Sequence, residues 1–176
     1  HRALGGDSVV LEASSHALMQ ERLAGLDVSC AVFTNLTRDH LDYHGDMQQY
    51  ARAKARLFSG LADNAVAILN ADDAYSHVMR DAAAASGARV ITYSSQSPAD
   101  LRASLSRTDL DVTYLTLSGM GISLDRLRVN LLGRFNIENA LAASAAVLMS
   151  GASPSAIVEG LATVSPPPGR LERVST

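Results

Sequence analysis

The chain alternates between short apolar runs and longer amphipathic stretches, a pattern typical of strands joined by helices. Near-continuous apolar runs in "DSVVLEASS", "VSCAVFTN", "NAVAILN" and "ARVITYS" predict buried strands of a parallel sheet. Between these runs, "HALMQERLAG", residues 45–60 and the alanine-rich "AYSHVMRDAAAASG" predict helices. Residues 112–132 include the alternating stretch "DVTYLTLS", which predicts an antiparallel patch. The order of elements therefore predicts an α/β fold, with a mainly parallel sheet flanked by helices.

The last part of the chain predicts two more helices and an extended exit. "RFNIENALAASAAVLMSG" is a long helix of small residues closed by Gly151. "SPSAIVEGLATV" starts with Ser153 as its cap and Pro154 at the first helical position. "SPPPGRLERV" is stiffened by proline, as linkers between domains often are. We therefore predict one domain over residues 1–165 and a linker over residues 166–176.

Composition excludes several classes of partner. The chain has 176 residues, of which 47% are hydrophobic and 19% are charged, as in an ordinary globular domain. No apolar run approaches the roughly 20 residues of a membrane span. The net charge of −3 and the lack of a basic tract predict no nucleic-acid surface. The single cysteine fits a reducing compartment, so we expect a cytoplasmic protein with no membrane or nucleic-acid partner.

The predicted helix over residues 45–60 carries a cation on its apolar face. Large apolar residues recur there at steps of three and four, at Met47, Tyr50, Leu57, Phe58 and Leu61. Lys54 falls on the same stripe, whereas Arg52 and Arg56 fall on the polar side. An unpaired buried ammonium is strongly unfavourable. Lys54 is therefore paired, neutralised, or extended so that its head reaches water.

A polar segment after the second predicted strand holds carboxylates and imidazoles. They are Asp39, His40, Asp42, His44 and Asp46. Ligands of parallel sheets bind beyond the carboxyl ends of strands, and Glu12 and residues 34–35 stand at two such ends. One interpretation is a solvated loop of turn-forming residues, with Asp46 as the cap of the next helix. The other is a Mg²⁺ or Mn²⁺ site, because hard oxygen ligands suit these ions.

The chemistry of Lys54 connects it to the metal interpretation. Burial lowers the pKa of an amine and leaves more of it as the neutral nucleophile. A neutral amine can take up CO₂ and become a carbamate, an anion that a nearby Mg²⁺ would stabilise. Glu12, His40 and a carbamylated Lys54 would then form an oxygen-rich site for metal and phosphate.

Several segments resemble the central domain of the Mur ligases, in order along almost the whole chain. They are "LEASSHALMQERL", "FTNLTRDHLDYHGDMQQYARAK", "NADD", "LLGRFNIENALAA" and "PPGRLERV". The pattern "TNLTRDHLDYHG" before a helix with "AK" resembles the MurE type, which adds the third amino acid to UDP-N-acetylmuramoyl-L-alanyl-D-glutamate in peptidoglycan synthesis. The resemblance implies a P-loop-NTPase-like domain of an ATP-dependent ligase that works through an acyl phosphate.

The same resemblance implies roles for individual residues. Glu12 and His40 match ligands of Mg²⁺, and Lys54 matches a carbamylated lysine, so Lys54 and His40 are the implied catalytic residues. The positions that hold the UDP-muramoyl dipeptide are matched by Ser14, Gln20 and Arg22. Asn139 matches an adenine-binding asparagine paired with Asn136, and Arg170 matches an arginine that contacts the nucleotide.

From the residues alone, these nucleotide and substrate positions have simpler interpretations. Ser14 is a possible helix cap, and Gln20 and Arg22 are polar residues of a short helix. Asn136 is a possible cap, Asn139 an exposed helical residue and Arg170 a linker charge.

The chain departs from the family at the phosphate loop. The family's Gly-Lys-Thr or Gly-Lys-Ser is not in the sequence, and "LGGD" lacks both the lysine and the hydroxyl residue. The uridine-nucleotide domain and the domain that selects the amino acid are also missing, so we expect a central-domain fragment that is inactive alone. Two rival hypotheses stay open: a metal-dependent phosphohydrolase built on "DHLDYHGD", and a non-catalytic relative. The sequence does not distinguish diaminopimelate from lysine as the added residue.

Overall fold

The computed structural model describes residues 8–37, 45–109, 112–131 and 133–165. Six strands in these ranges form one sheet, in which their spatial order is their order along the chain. They are β1 (Cys30–Phe33), β2 (Val66–Asn70), β3 (Arg89–Ser94), β4 (Leu101–Thr108), β5 (Thr113–Gly119) and β6 (Ile122–Val129). Neighbours from β1 to β4 pair in parallel, and β4, β5 and β6 pair antiparallel. The predicted α/β fold with a mainly parallel sheet is confirmed.

Five helices lie in the described part of the chain. They are α1 (Ser15–Met19), α2 (Met47–Ser59), α3 (Ser76–Ser86), α4 (Arg134–Met149) and α5 (Pro154–Thr163). Helix α2 starts as predicted, because the Asp46 carboxylate accepts a hydrogen bond from the backbone N–H of Gln49 at 2.7 Å. Ser153 precedes α5, with Pro154 in its first turn. None of these helices is long and apolar enough to cross a membrane.

The sheet separates two apolar cores, because successive strand residues point to opposite faces. On one face, Ala67 and Leu69 of β2 belong to the core that α2 and α3 cover. On the other face, Val66 and Ile68 belong to the core that α4 and α5 cover. This layering places α2 and α4 on opposite faces of the sheet, and both helices contribute candidate site residues.

Two elements differ from the sequence prediction at the start of the chain. The structure assigns no strand to residues 8–14, and Val9, Val10 and Leu11 are 60%, 99% and 49% exposed. An apolar run becomes a strand only when a neighbouring backbone pairs with it, and no described strand pairs with this one. The following helix ends at Met19, short of the predicted Gly25, because Glu21 has φ 54°, which a right-handed helix does not accommodate.

A third difference is an added strand. The polar region after β3 contains β4, in which apolar and polar residues alternate in burial only over the first residues. Pairing with β5 along its whole length explains how so polar a segment is held as a strand. The predicted linker over residues 166–176 lies outside the described residues, so the domain boundary stays a prediction.

Candidate functional site

The carboxyl ends of β1 and β2 meet, as their parallel pairing requires. The side-chain amide of Asn70, at the end of β2, donates to the backbone oxygen of Thr34 at 2.7 Å. The Asp73 carboxylate accepts a hydrogen bond from the backbone N–H of Leu36 at 2.8 Å. The polar residues that follow these two strands therefore form one connected surface, where the sequence predicted the site.

Lys54 lies on the apolar stripe of α2, as predicted. Tyr50 and Phe58 of that stripe are buried, and Lys54 itself is half-buried with its Nζ 5.5 Å from the centre of the Tyr50 ring. Arg52 and Arg56 are exposed on the polar side. Burial lowers the pKa of Lys54, and the carboxylate of Glu12 opposes that shift. A lowered pKa increases the fraction of neutral amine, the form that reacts with CO₂.

Glu12 and Lys54, two of the predicted metal ligands, interact electrostatically. A carboxylate beside a carbamate is a hard-oxygen pair, which suits Mg²⁺. His40, the third predicted ligand, lies outside the described residues. Within the described ranges, no group of three His, Cys, Asp or Glu side chains is arranged to hold a metal ion. Glu12 and Lys54 thus fit a metal site as two members of a set that needs further oxygen or nitrogen donors.

The three predicted substrate residues lie along and after α1. Ser14 is its N-cap, and its hydroxyl accepts from the backbone N–H of Ala17 at 3.1 Å. Gln20 follows the helix, and Arg22 lies in the turns beyond it, both exposed. The structure thus bears out Ser14 as a cap and moves Gln20 and Arg22 from a helix to a turn. Their contact with a substrate stays a prediction.

Asn136 and Asn139 lie in the first turns of α4. Asn136 is inside the helix rather than its cap, because the cap position is taken by Gly133 with φ 91°. Asn139 is exposed, and its side-chain amide donates to Oδ1 of Asn136 at 3.3 Å. This contact aligns the two side chains at one end of the helix. Arg170 lies outside the described residues, so its predicted nucleotide contact stays a prediction.

Sequence reasoning missed a cluster of polar residues at the same edge of the sheet. The cluster consists of Asn70, Asp72, Asp73, Tyr93 and Glu138. The first three belong to "NADD", which begins at the end of a predicted strand and is one of the segments that resemble the Mur ligases, but which was given no role in a site. Their position directly after a buried parallel strand was the signal that could have placed them here. Tyr93 and Glu138 gave no such signal, since a strand tyrosine and a helical glutamate are ordinary residues.

Two members of this cluster have shifted pKa values. Burial, and then the carboxylates of Glu138, Asp73 and Asp72, raise the pKa of Tyr93, so its hydroxyl stays protonated as a donor. For Asp72, partial burial acts to raise the pKa, but hydrogen bonds from the Ser94 hydroxyl and the Ser95 N–H outweigh it and lower the pKa. Ser94 Oγ lies 2.6 Å from Asp72 Oδ1. The Asp72 carboxylate therefore fastens the end of β2 to the end of β3.

These features define an α/β domain whose polar site lies at the carboxyl ends of parallel strands, the region where such sheets bind nucleotides. A family model described as the Mur ligase middle domain matches residues 2–147. The chain belongs to the Mur ligase family.

Curated relatives and solved structures are similar over most of the chain. The UDP-N-acetylmuramoyl-L-alanyl-D-glutamate--2,6-diaminopimelate ligase of Geobacillus thermodenitrificans is 42% identical, over 97% of this chain and 35% of that protein. A solved structure of a ligase with the same name has a TM-score of 0.81 and 37% identity, over 93% of this chain and 34% of that one.

A second structure, MurF from Acinetobacter baumannii, has a TM-score of 0.78 and 25% identity, over 85% of this chain and 32% of that one. The resemblance drawn from the sequence is therefore confirmed. The chain spans about a third of the length of the curated relatives that it matches.

Proposed function

We propose that this chain is part of an ATP-dependent ligase that adds diaminopimelate to UDP-N-acetylmuramoyl-L-alanyl-D-glutamate in peptidoglycan biosynthesis. The observation that carries the proposal is similarity over almost the whole chain to ligases named for this substrate and this amino acid. That similarity favours diaminopimelate over lysine, and a ligase over a metal-dependent phosphohydrolase. The activity is proposed for the whole protein, since the chain covers only 35% of such a relative.

The proposed reaction passes through an acyl phosphate. The γ-phosphoryl group of ATP is transferred to the side-chain carboxylate of D-glutamate, and ADP leaves. The amine of the incoming amino acid then attacks the acyl carbon, and inorganic phosphate leaves from the tetrahedral intermediate as the amine loses its proton. Phosphoryl transfer depends mainly on positioning and charge neutralisation, so the protein's task is to hold two anions together.

Glu12, His40 and carbamylated Lys54 are the residues that would hold Mg²⁺ in this proposal. When bound, Mg²⁺ supplies positive charge beside the γ-phosphate and the substrate carboxylate. Two observations support Lys54 in this role: burial lowers its pKa, and Glu12 acts on it electrostatically. His40 enters through the family resemblance. The carbamate forms when the neutral amine attacks CO₂ and releases a proton, which turns the cation of the apolar stripe into an anion.

The remaining residues are assigned to binding of the UDP-muramoyl dipeptide and of ATP. Ser14, Gln20 and Arg22 would bind the UDP-muramoyl dipeptide, close in sequence to Glu12. Asn139, aligned by Asn136 at 3.3 Å, would hydrogen-bond adenine, and Arg170 would contact the nucleotide. Such a protein needs no membrane or nucleic-acid partner, and we propose that it works in the cytoplasm.

The test is amine-dependent release of ADP by the protein expressed with the rest of its reading frame. Wild-type protein, supplied with the UDP-muramoyl dipeptide, should release ADP with diaminopimelate and not with lysine. Lys54→Ala should lower this rate by about a hundredfold or more, with partial recovery in acetate, because a small carboxylate can replace the carbamate. The matched control is Arg52→Ala on the exposed side of the same helix, which should keep the wild-type rate.

A direct readout of the carbamate comes from the chain itself, in which Lys54 is the only lysine. Incubation with ¹³C-bicarbonate should give a carbamate carbon signal that Lys54→Arg removes. Wild-type activity in Lys54→Ala would refute the carbamate role. No amine-dependent ADP release from the folded, complete protein would refute the ligase.

A further inference from the structure

The backbone that leaves β1 is held by two side chains of the "NADD" segment. Nδ2 of Asn70 donates to the carbonyl oxygen of Thr34 at 2.7 Å. Two residues further on, the N–H of Leu36 donates to Oδ2 of Asp73 at 2.8 Å. These bonds span 36 and 37 residues of sequence, so they fasten one strand end to another rather than shaping a local turn.

Both side chains are themselves fixed by second bonds. Oδ1 of Asn70 accepts from the N–H of Asp72 at 3.0 Å, and Oδ1 of Asp73 accepts from the N–H of Tyr75 at 2.8 Å. Asn70 is 2% exposed, so its amide has little freedom to turn toward water. A side chain that uses both ends in this way holds its partner in one geometry.

Tyr93 adds a third bond to the same backbone from β3. Its hydroxyl donates to the carbonyl oxygen of Phe33 at 3.2 Å, and the ring is fully buried. The raised pKa of Tyr93 keeps the hydroxyl protonated, so it serves only as a donor toward the carbonyl. The exit from β1 is thus held from two neighbouring strands.

Asn70 also lies against helix α4. Its Nδ2 is 3.5 Å from Oε2 of Glu138, a residue that lies between Asn136 and Asn139 in the sequence. Oε1 of Glu138 is 3.8 Å from Nε of Arg134 in the first turn of α4. A single buried amide therefore contacts both the exit from β1 and the start of the helix to which we assign the adenine contact.

We propose that Asn70 and Asp73 are positioning residues: both hold the backbone that leaves β1, and Asn70 also sets its spacing from the start of α4. The inference rests on the proposed function, in which the nucleotide base binds at the start of α4 and the phosphoryl group is transferred at the carboxyl ends of the strands. The base would bind at a helix that covers one face of the sheet, whereas phosphoryl transfer would take place at the strand ends. Small displacements between reacting groups lower rates steeply. The Asn70 amide bridges the two.

Isosteric substitutions of Asn70 and Asp73 disrupt these hydrogen bonds with little change in side-chain volume. Asp73→Asn keeps only one acceptor atom, so either the Leu36 N–H or the Tyr75 N–H faces an amide donor. Asn70→Asp keeps the acceptor for Asp72 but sets a carboxylate oxygen against the Thr34 carbonyl. The matched controls are Asp81→Asn on α3 and Asn64→Asp before β2, both at exposed positions.

The first readout is hydrogen exchange of the backbone, measured by mass spectrometry in the complete protein. Peptides that cover residues 34–37 or Tyr75 should exchange about tenfold faster in Asp73→Asn, because one of the Leu36 and Tyr75 N–H groups loses its acceptor. Peptides from β5 and β6 should exchange at the wild-type rate, and both control variants should leave the 34–37 peptides unchanged. Unchanged exchange at both 34–37 and Tyr75 in both test variants would refute the proposed role of these hydrogen bonds.

The second readout separates positioning from a merely structural role. Asp73→Asn and Asn70→Asp should lower kcat by about tenfold to a hundredfold. KM for the UDP-muramoyl dipeptide should stay within about twofold of wild type, because the residues predicted to bind it lie along and after α1. Rates are divided by the folded fraction, measured by near-ultraviolet circular dichroism at the assay temperature.

The outcomes distinguish this inference from the one on which it rests. If wild-type protein makes the amide and the test variants match their controls in corrected kcat, positioning by Asn70 and Asp73 is refuted and the ligase stands. If a loss of rate disappears on correction for the folded fraction, the two residues are only structural. If wild-type protein shows no amine-dependent ADP release, the ligase and the positioning role are both refuted.

Discussion

Two apolar runs of the chain, residues 9–11 and strand β2, have similar sequences and opposite structures. Ala67, Ile68 and Leu69 of β2 are fully buried. In the earlier run, Val9 is 60% exposed and Val10 is 99% exposed. Each run leads to a polar residue assigned to the site: Glu12 directly follows the first run, and Asn70 is the last residue of β2.

The difference lies in the neighbours rather than in the residues. Strand β2 pairs in parallel with β1 on one side and β3 on the other, and helices cover both of its faces. The run at residues 9–11 pairs with none of the described strands. Hydrophobicity makes burial favourable, but backbone pairing decides whether the run forms a strand. Asn70 is consequently held rigidly at the edge of the site, whereas Glu12 stands on a segment with little packing.

The largest expected effect tests this contrast in packing. Ile68→Ala should lower the free energy of unfolding by about 2–5 kcal/mol, because it leaves a cavity between the sheet and α4. Val10→Ala should change it by less than about 0.5 kcal/mol, because that side chain is already in water. Urea denaturation of the two variants beside wild type measures both values. Comparable losses in the two variants would show that residues 9–11 are packed after all.

A smaller effect on stability is expected at Lys54, which belongs to α2, the helix between the two runs in the sequence. Replacing it by Met should stabilise the chain by on the order of 1 kcal/mol at pH 7, because a half-buried ammonium is exchanged for an apolar side chain of similar length. Urea denaturation at several pH values, with Arg52→Met as the exposed control, measures the gain.

The sign of its pH dependence follows from the lowered pKa of Lys54. Below the folded-state pKa, lysine is protonated in both states and the full cost of burying the charge is present. Between the folded-state pKa and the unfolded value of 10.5, only the unfolded chain binds the proton, so wild-type stability rises with pH. The advantage of Lys54→Met should therefore shrink as the pH is raised toward 10.5. An advantage that grows with pH would contradict the burial of the ammonium.

Sequence patterns predicted the parts of the fold in which local and long-range signals agree. The β1–α2–β2–α3–β3 succession was read correctly, because each strand is a compact apolar run and each helix has its own period. The capping of α2 by Asp46 followed from local chemistry alone. The strand predicted over residues 7–15 is wrong over residues 8–14, because none of the described strands pairs with this run. Strand β4 was missed for the opposite reason. Its polar sequence does not indicate a strand, and backbone pairing with β5 makes it one.

The candidate site was predictable in position but not in its supporting contacts. The rule that ligands bind beyond the carboxyl ends of parallel strands located it, and helical periodicity singled out Lys54. The hydrogen bonds of Asn70 to Thr34 and of Leu36 to Asp73 were not predictable. Their partners are separated by 36 and 37 positions in the sequence, respectively. Only the strand register shows that these side chains meet that backbone.

The smallest expected effect is a change in the pKa of Lys54 when the carboxylate of Glu12, on the exposed segment, is removed. Glu12→Gln should lower the pKa of Lys54 further, because the carboxylate that opposes the effect of burial is removed. Reductive ¹³C-methylation labels Lys54, the single lysine, and the terminal α-amino group. The signal that Lys54→Arg removes is assigned to Lys54, and its pH titration reports the pKa of the methylated amine. Glu21→Gln is the matched control, since Glu21 instead pairs with Arg56 at 3.4 Å and should leave the Lys54 titration unchanged. Identical titration curves for wild type and Glu12→Gln would mean that the weakly packed segment does not hold its carboxylate near α2. The proposed metal site would then depend on ligand binding to bring Glu12 into place.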